Sequence, residues 1–143
     1  MTEQRVTPTP VFDDSDVVFT VSNAKGEDEG DEFIRSLQTR DQTKFQRYLE
    51  YLRDGHHIKS PENMRHINGV SDPMEQGAEV HELKTHRQGG LRLYVVRFRS
   101  RWYVTHGDRK GSDKQVVKNA RKAFAIFWDG DTEGEPNGTV SNR

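Results

Sequence analysis

The chain has 143 residues, enough for one domain, and its 22 Lys and Arg nearly balance 23 Asp and Glu, for a formal net charge of −1. Only 31% of it is hydrophobic and 31% is charged, so the core is small and part of the chain lies outside it. The absence of cysteine excludes disulfide scaffolds, cysteine zinc sites and thiol nucleophiles; no apolar run approaches the roughly 20 residues that span a bilayer, and the start, MTEQRVTPTP, lacks a secretory pattern, so a soluble cytoplasmic protein is expected.

Residues 1–15 contain Pro8, Pro10, Asp13 and Asp14 and few apolar groups, and read as a flexible arm. DVVFTVS, 16–22, is β-branched and aromatic and predicts a first strand. Beyond a charged turn, Phe33, Ile34 and Leu37 fall at helical spacing behind acids that suit a helix N-terminus. Thr39 is placed to cap a second helix, in which Phe45, Leu49 and Leu52 recur at intervals of four and three beside Tyr48, and Gly55 is its stop. Together these make a helix hairpin. Residues 55–78, with Pro61, Gly69, Pro73 and Gly77, form a long irregular link. His56, His57 and His66 in that link hint at a metal, but the sequence assigns no metal site and no cofactor.

EVHELK (79–84), LRLYVVRF (91–98) and WYVTH (102–106) read as strands, and their short connections favour an antiparallel meander. Residues 107–111 read as a polar turn; Ser112 then caps a last helix, with Gln115 three residues on completing a capping-box pattern. Val116, Ala120, Phe124 and Phe127 form its apolar stripe, with Lys114, Lys118, Arg121 and Lys122 off it, so this helix should lie across the sheet. The organisation expected is an arm (1–15), one domain (16–128) and an acidic flexible tail (129–143).

Charge is unevenly spread. Residues 1–33 hold nine acids and two bases, whereas residues 84–122 hold twelve bases and two acids, a local sum of +10. Residues 129–143 return to −3, with four acids and one base. A basic centre between acidic ends attracts polyanions, and the alternative is a solvated cationic face that the ends shield.

The order strand, helix hairpin, three-stranded meander and closing helix, with HELK, GLRLYVVRF and WYVTHGDRKGSDKQVVKNARKAFAIF, resembles the RelE/HigB/ParE superfamily of bacterial toxin–antitoxin toxins, in its HigB-like, phage-associated branch. The features carrying the resemblance are the E-L-K strand at 82–84, Arg92 opening the next strand, the basic GDRKG at 107–111 and A-R-x-A-F at 120–124. It implies an α+β, RelE-like fold: a small antiparallel sheet packed with an N-terminal helix hairpin and a C-terminal helix.

The resemblance also implies an endoribonuclease, an mRNA interferase, that cuts mRNA on the ribosome by metal-independent attack of a 2′-hydroxyl on the adjacent phosphate. Its partners are then ribosome, mRNA and a cognate antitoxin, expected to be a helix-turn-helix protein, with no membrane. Arg92 matches the strand arginine and is placed to hold the scissile phosphate; the alternative is a sheet-edge arginine. Arg109 and Lys110 occupy the basic loop, and Lys84 ends the E-L-K strand. His106, with His86 behind it, is the proposed proton carrier, since imidazole titrates near neutrality. Arg97, Arg99, Lys114 and Lys118 extend the expected phosphate-binding set. Toxic members of the family often place a tyrosine or another titrating group in the last helix, where this sequence has Val116, Val117, Phe127 and Trp128. That departure keeps a second reading open: a catalytically inactive RelE/ParE-fold binding module, either a gyrase inhibitor or a phage protein docking on a host partner.

Overall fold

The computed structural model describes residues 8–129, with the backbone alone at Asp129; the acidic tail and residues 1–7 of the arm lie outside the described residues. The fold is α+β, with three helices and a six-stranded mixed sheet in the order β1-β2-β6-β5-β4-β3, compatible with a RelE-like fold.

The expected meander forms the sheet centre as β4 (Glu79–Thr85), β5 (Leu91–Phe98) and β6 (Arg101–Arg109), paired antiparallel throughout. The first strand, β2 (Val18–Thr20), runs parallel to β6 with Val18 opposite Trp102, which makes the sheet mixed rather than antiparallel. Within the stretch read as an arm, β1 (Thr9–Pro10) pairs with β2, and a proline is tolerated there because the strand is at the sheet edge. β3 (Met64–His66) emerges from the long link and pairs with β4, Arg65 opposite Glu82.

Two cores explain why LRLYVV shows no alternation. The side chains of Leu91, Leu93 and Val95 pack with Phe45, Tyr48, Leu49 and Leu52 of α2 (Thr39–Asp54). Tyr94 and Val96 pack with Ala120, Ala123, Phe124 and Phe127 of α3 (Asp113–Asp129) on the other face. A central strand covered on both sides reads as a continuous apolar run. The stripe of α3 is wider than its spacing suggests, since Ala125, Ile126 and Trp128 are buried too. Trp128 Nε1 donates to Asp72 Oδ1 at 2.9 Å, and Asp72 also accepts from the backbone of Met74, Gln76 and Ala78. One buried carboxylate thus folds the end of the link onto α3.

Helix ends follow local chemistry. Asp28 caps α1 (Glu29–Arg35) by accepting from the Asp31 amide at 3.0 Å. Ser112 caps α3 as expected, accepting from the Gln115 amide at 3.2 Å. Thr39 does not cap α2: it is the first helical residue, and Gln38 precedes it without a side-chain cap bond. Gly55 ends α2 in the left-handed conformation, at φ 72°.

The expected turn at 107–111 is also corrected. β6 continues to Arg109 because Gly107, Asp108 and Arg109 pair with Leu93, Arg92 and Leu91. At Gly107 the ring of Phe33 lies where a β-carbon would stand, so the missing side chain lets α1 sit directly on the strand.

Candidate functional site

At the rim where β4 ends and β5 begins, α2 stands away from the sheet and leaves a groove of about 540 Å³. Arg40, Thr43, Lys44, Arg47 and Tyr48 line it from α2; Lys84, Thr85, His86 and Arg87 line it from the end of β4 and the following single turn of 3₁₀ helix; Asn63 completes it from the link. The lining holds the cationic side chains of Arg40, Lys44, Arg47 and Arg87 and no carboxylate; Lys84 stands opposite Arg92, so its ammonium is on the α3 face and it meets the groove at its carbonyl, which accepts from Tyr48. Among the described residues no carboxylate lies within ion-pair distance of Arg40, Lys44, Arg47 or Lys84, while Arg87 is pinned by the buried Asp41, Nε to Oδ1 at 3.1 Å. Clustered like charge on a concave wall focuses potential on an anion.

The groove is possible because α2 is two-faced. Its apolar stripe turns Phe45, Leu49 and Leu52 inward, and Arg40, Lys44 and Arg47, at intervals of four and three, project along another line. Tyr48 lies between the two sets: its hydroxyl donates to the Lys84 carbonyl at 2.8 Å, and burial pushes its pKa up to about 12. It is therefore a neutral fixed wall at physiological pH. Lys84 donates from Nζ to the Pro61 carbonyl at 2.9 Å. Burial first, then the positive charges of Arg92, Arg65 and Lys110, lower its pKa against the opposing pull of Glu82. His86 Nε2 lies 3.1 Å from the Glu62 carbonyl, and the residue is exposed.

On the α3 face of the same rim lies a buried ion cluster. Glu82 is 1% exposed; Arg65 Nη2 is 3.0 Å and Arg92 Nε 3.7 Å from its Oε1. Nη1 of Arg92 donates to the carbonyls of Thr85 and Leu91, at 3.1 and 3.0 Å. The expected phosphate fork is thus engaged with the protein itself, and its geometry is that of an anchor for the strand ends.

His106 is corrected more strongly. It is 1% exposed and stacked on Tyr94, with ring centroids 5.0 Å apart. Its Nε2 is 3.0 Å from Asn119 Oδ1, Asn119 Nδ2 donates to Asp108, and Nδ1 is 3.0 Å from Thr105 Oγ1. Because the Asp108 carboxylate orients the Asn119 amide, Nε2 is the atom that donates, and the unprotonated Nδ1 lies beside the Thr105 hydroxyl, which donates to the Tyr94 carbonyl at 3.1 Å. Burial holds the pKa at about 4. This imidazole is a buried interior group anchored to Asn119.

The remaining expected residues divide by position. Lys110 reaches the rim: its amide donates to the Gly90 carbonyl at 2.9 Å and its side chain packs on Gly90. Arg109 is opposite Leu91, hence on the other sheet face from Arg92, and its Nη1 donates to the Gln88 carbonyl at 3.1 Å. The expectation that Arg92, Arg109 and Lys110 surround one phosphate does not match this register. Arg97 and Arg99 lie at the far end of β5, over the rings of Trp102 and Phe98. Lys114 and Lys118 are exposed on α3. Sequence reasoning missed Arg40, Lys44, Arg47 and Arg87; the i, i+4, i+7 spacing of the first three was the available signal.

No curated protein and no solved structure gives a significant match. The sequence profile of the phage-derived Gp49-like protein family (DUF891) matches residues 32–127, about two thirds of the chain, from α1 through α3 and including the whole groove. The chain belongs to this phage-derived Gp49-like family, which is of the RelE/HigB toxin type.

Proposed function

We propose that this toxin-like protein is an endoribonuclease that grips single-stranded RNA in the α2–β4 groove, cuts mRNA on the ribosome, and is neutralised by a cognate antitoxin. The observation that supports this best is the cation-lined, carboxylate-free wall, which matches a phosphate backbone by charge and by its spread along one helix. In this reading Arg40, Lys44 and Arg47 track successive phosphates, and Arg87, held by Asp41, contributes a rigid cation. His86 takes the 2′-hydroxyl proton as the oxygen attacks phosphorus. A solvent water protonates the departing 5′-oxygen and leaves a 2′,3′-cyclic phosphate, while Lys84, opposite Arg92 on the α3 face of the rim, adds positive potential from behind the strand.

The second reading, a fold-sharing binding module without cleavage, is favoured by one observation: Arg92 is occupied by Glu82 and two carbonyls. Induced expression followed by mapping of RNA 5′ ends separates the two. Growth arrest with new mRNA ends, both lost in His86→Gln and in Arg40→Ala/Arg47→Ala, supports the nuclease. Ribosome or RNA binding without new ends supports the module, and unhindered growth with soluble wild-type protein contradicts the toxin reading. Among the described residues no helix is long and apolar enough to cross a membrane.

A further inference from the structure

On the α2 face of the sheet, towards its β3 edge, His66 and His81 are direct cross-strand partners, and Glu79 precedes His81 by two residues and so shares that face. One ligand atom from each residue lies within 4.8 Å of the other two. The imidazoles stack at 4.7 Å between centroids, His81 Nε2 is 3.4 Å from Glu79 Oε1, and Trp102 meets His81 edge-on at 5.1 Å. All three are half-buried.

We propose that His66, Glu79 and His81 bind one transition-metal dication of the zinc class, with water as the fourth ligand. Two imidazole nitrogens and a carboxylate oxygen are a donor set such ions accept. At metal–ligand distances near 2.0–2.1 Å, tetrahedral ligand atoms sit about 3.3 Å apart. Closing from 4.8 Å therefore takes rotamer changes on strands whose backbones are already paired. Arg97 stands opposite Glu79 and opposes a cation, but its guanidinium lies over Trp102 and leaves the carboxylate to His81.

The consequence is structural and reaches the groove. β3 is only three residues long, yet it follows Asn63, a groove residue whose carbonyl accepts from the Lys84 amide at 2.8 Å. A metal joining β3 to β4 fixes that wall.

The test titrates Zn²⁺ into untagged, full-length, chelator-stripped protein by calorimetry and repeats it with Co²⁺ by visible absorption. Expected are one site per chain with micromolar or tighter affinity, a tetrahedral Co²⁺ spectrum, and a thermal midpoint raised by several degrees at about a hundredfold excess over Kd. His66→Gln and His81→Gln each weaken binding at least about tenfold, Glu79→Gln weakens it less, and His56→Gln/His57→Gln leaves it unchanged. No saturable binding by wild type, undiminished binding by His66→Gln, or loss of binding in the His56/His57 variant overturns the proposal. His66 is on the short strand outside both cores, so its variant remains informative if His81→Gln fails to fold.

Discussion

Arg92→Ala separates an anchoring arginine from a phosphate-holding one. The substitution leaves Glu82, 1% exposed, with Arg65 at 3.0 Å as its one remaining ion-pair partner among the described residues. It also strips the carbonyls of Thr85 and Leu91 of a guanidinium donor. Breaking a buried pair by removing one partner costs about 3–5 kcal/mol, chiefly because the other charge stays buried. Against a typical stability of about 5–15 kcal/mol, that is a large fraction. For a domain of this size it lowers the melting midpoint by roughly 10 °C or more. Urea unfolding by circular dichroism is the assay, with Arg92→Lys expected to fall between, since it keeps the charge but loses the fork. An Arg92→Ala protein within about 1 kcal/mol of wild type that binds RNA tenfold more weakly would refute the reasoning and restore the phosphate role.

Three further outcomes are expected. The His106 pKa is held near 4 in the fold against an ordinary 6.5, so the unfolded chain takes up the proton first as pH falls. Stability is full above about pH 6.5 and drains down to about pH 4, by up to about 3 kcal/mol; His81, also held near 4, shares the window, so His106→Gln flattens the pH profile of urea midpoints only in part. Gly107→Ala drives a methyl into Phe33 and costs about 1–3 kcal/mol by overpacking, and Phe33→Leu in the same chain recovers part of the loss in denaturation. Ser112→Ala removes the α3 cap and costs about 0.5–2 kcal/mol, read as a lower thermal midpoint with an unchanged circular dichroism spectrum.

What the sequence carried was strongest where a local rule acts alone. The Phe45, Leu49, Leu52 stripe, the Gly55 stop and the Ser112 cap each follow from spacing or backbone chemistry within a few residues, and each is present. β3 was invisible because Met64, Arg65 and His66 form a strand only through pairing with β4. Side-chain faces were lost at one point, an irregularity opposite Tyr94 and Val95 that leaves Thr105 without a partner residue. Simple alternation would put His106 and Tyr103 on different faces; the extra residue brings both to the α3 side and sends His106 into the core. The basic wall of α2 is hard to read because Arg40, Lys44 and Arg47 sit in a stretch whose charges nearly cancel, whereas the +10 segment further along the chain dominates the charge pattern. His86 and Arg87 do belong to that segment, but the helix residues that line the groove with them come from 40–47.

The salt dependence of binding to a short unstructured RNA tests the groove most directly. Each neutralised phosphate on a single strand contributes a slope of about −0.7 in log K against log salt, so the three groove cations without a carboxylate partner among the described residues, Arg40, Lys44 and Arg47, give about −2.1. Arg40→Ala/Arg47→Ala, both exposed and outside the cores, is expected to flatten the slope by about 1.4 with folding intact, while Arg97→Ala/Arg99→Ala leaves it nearly unchanged. An unaltered slope in the first pair together with a flattened one in the second would move the RNA to the far end of the sheet and contradict the account.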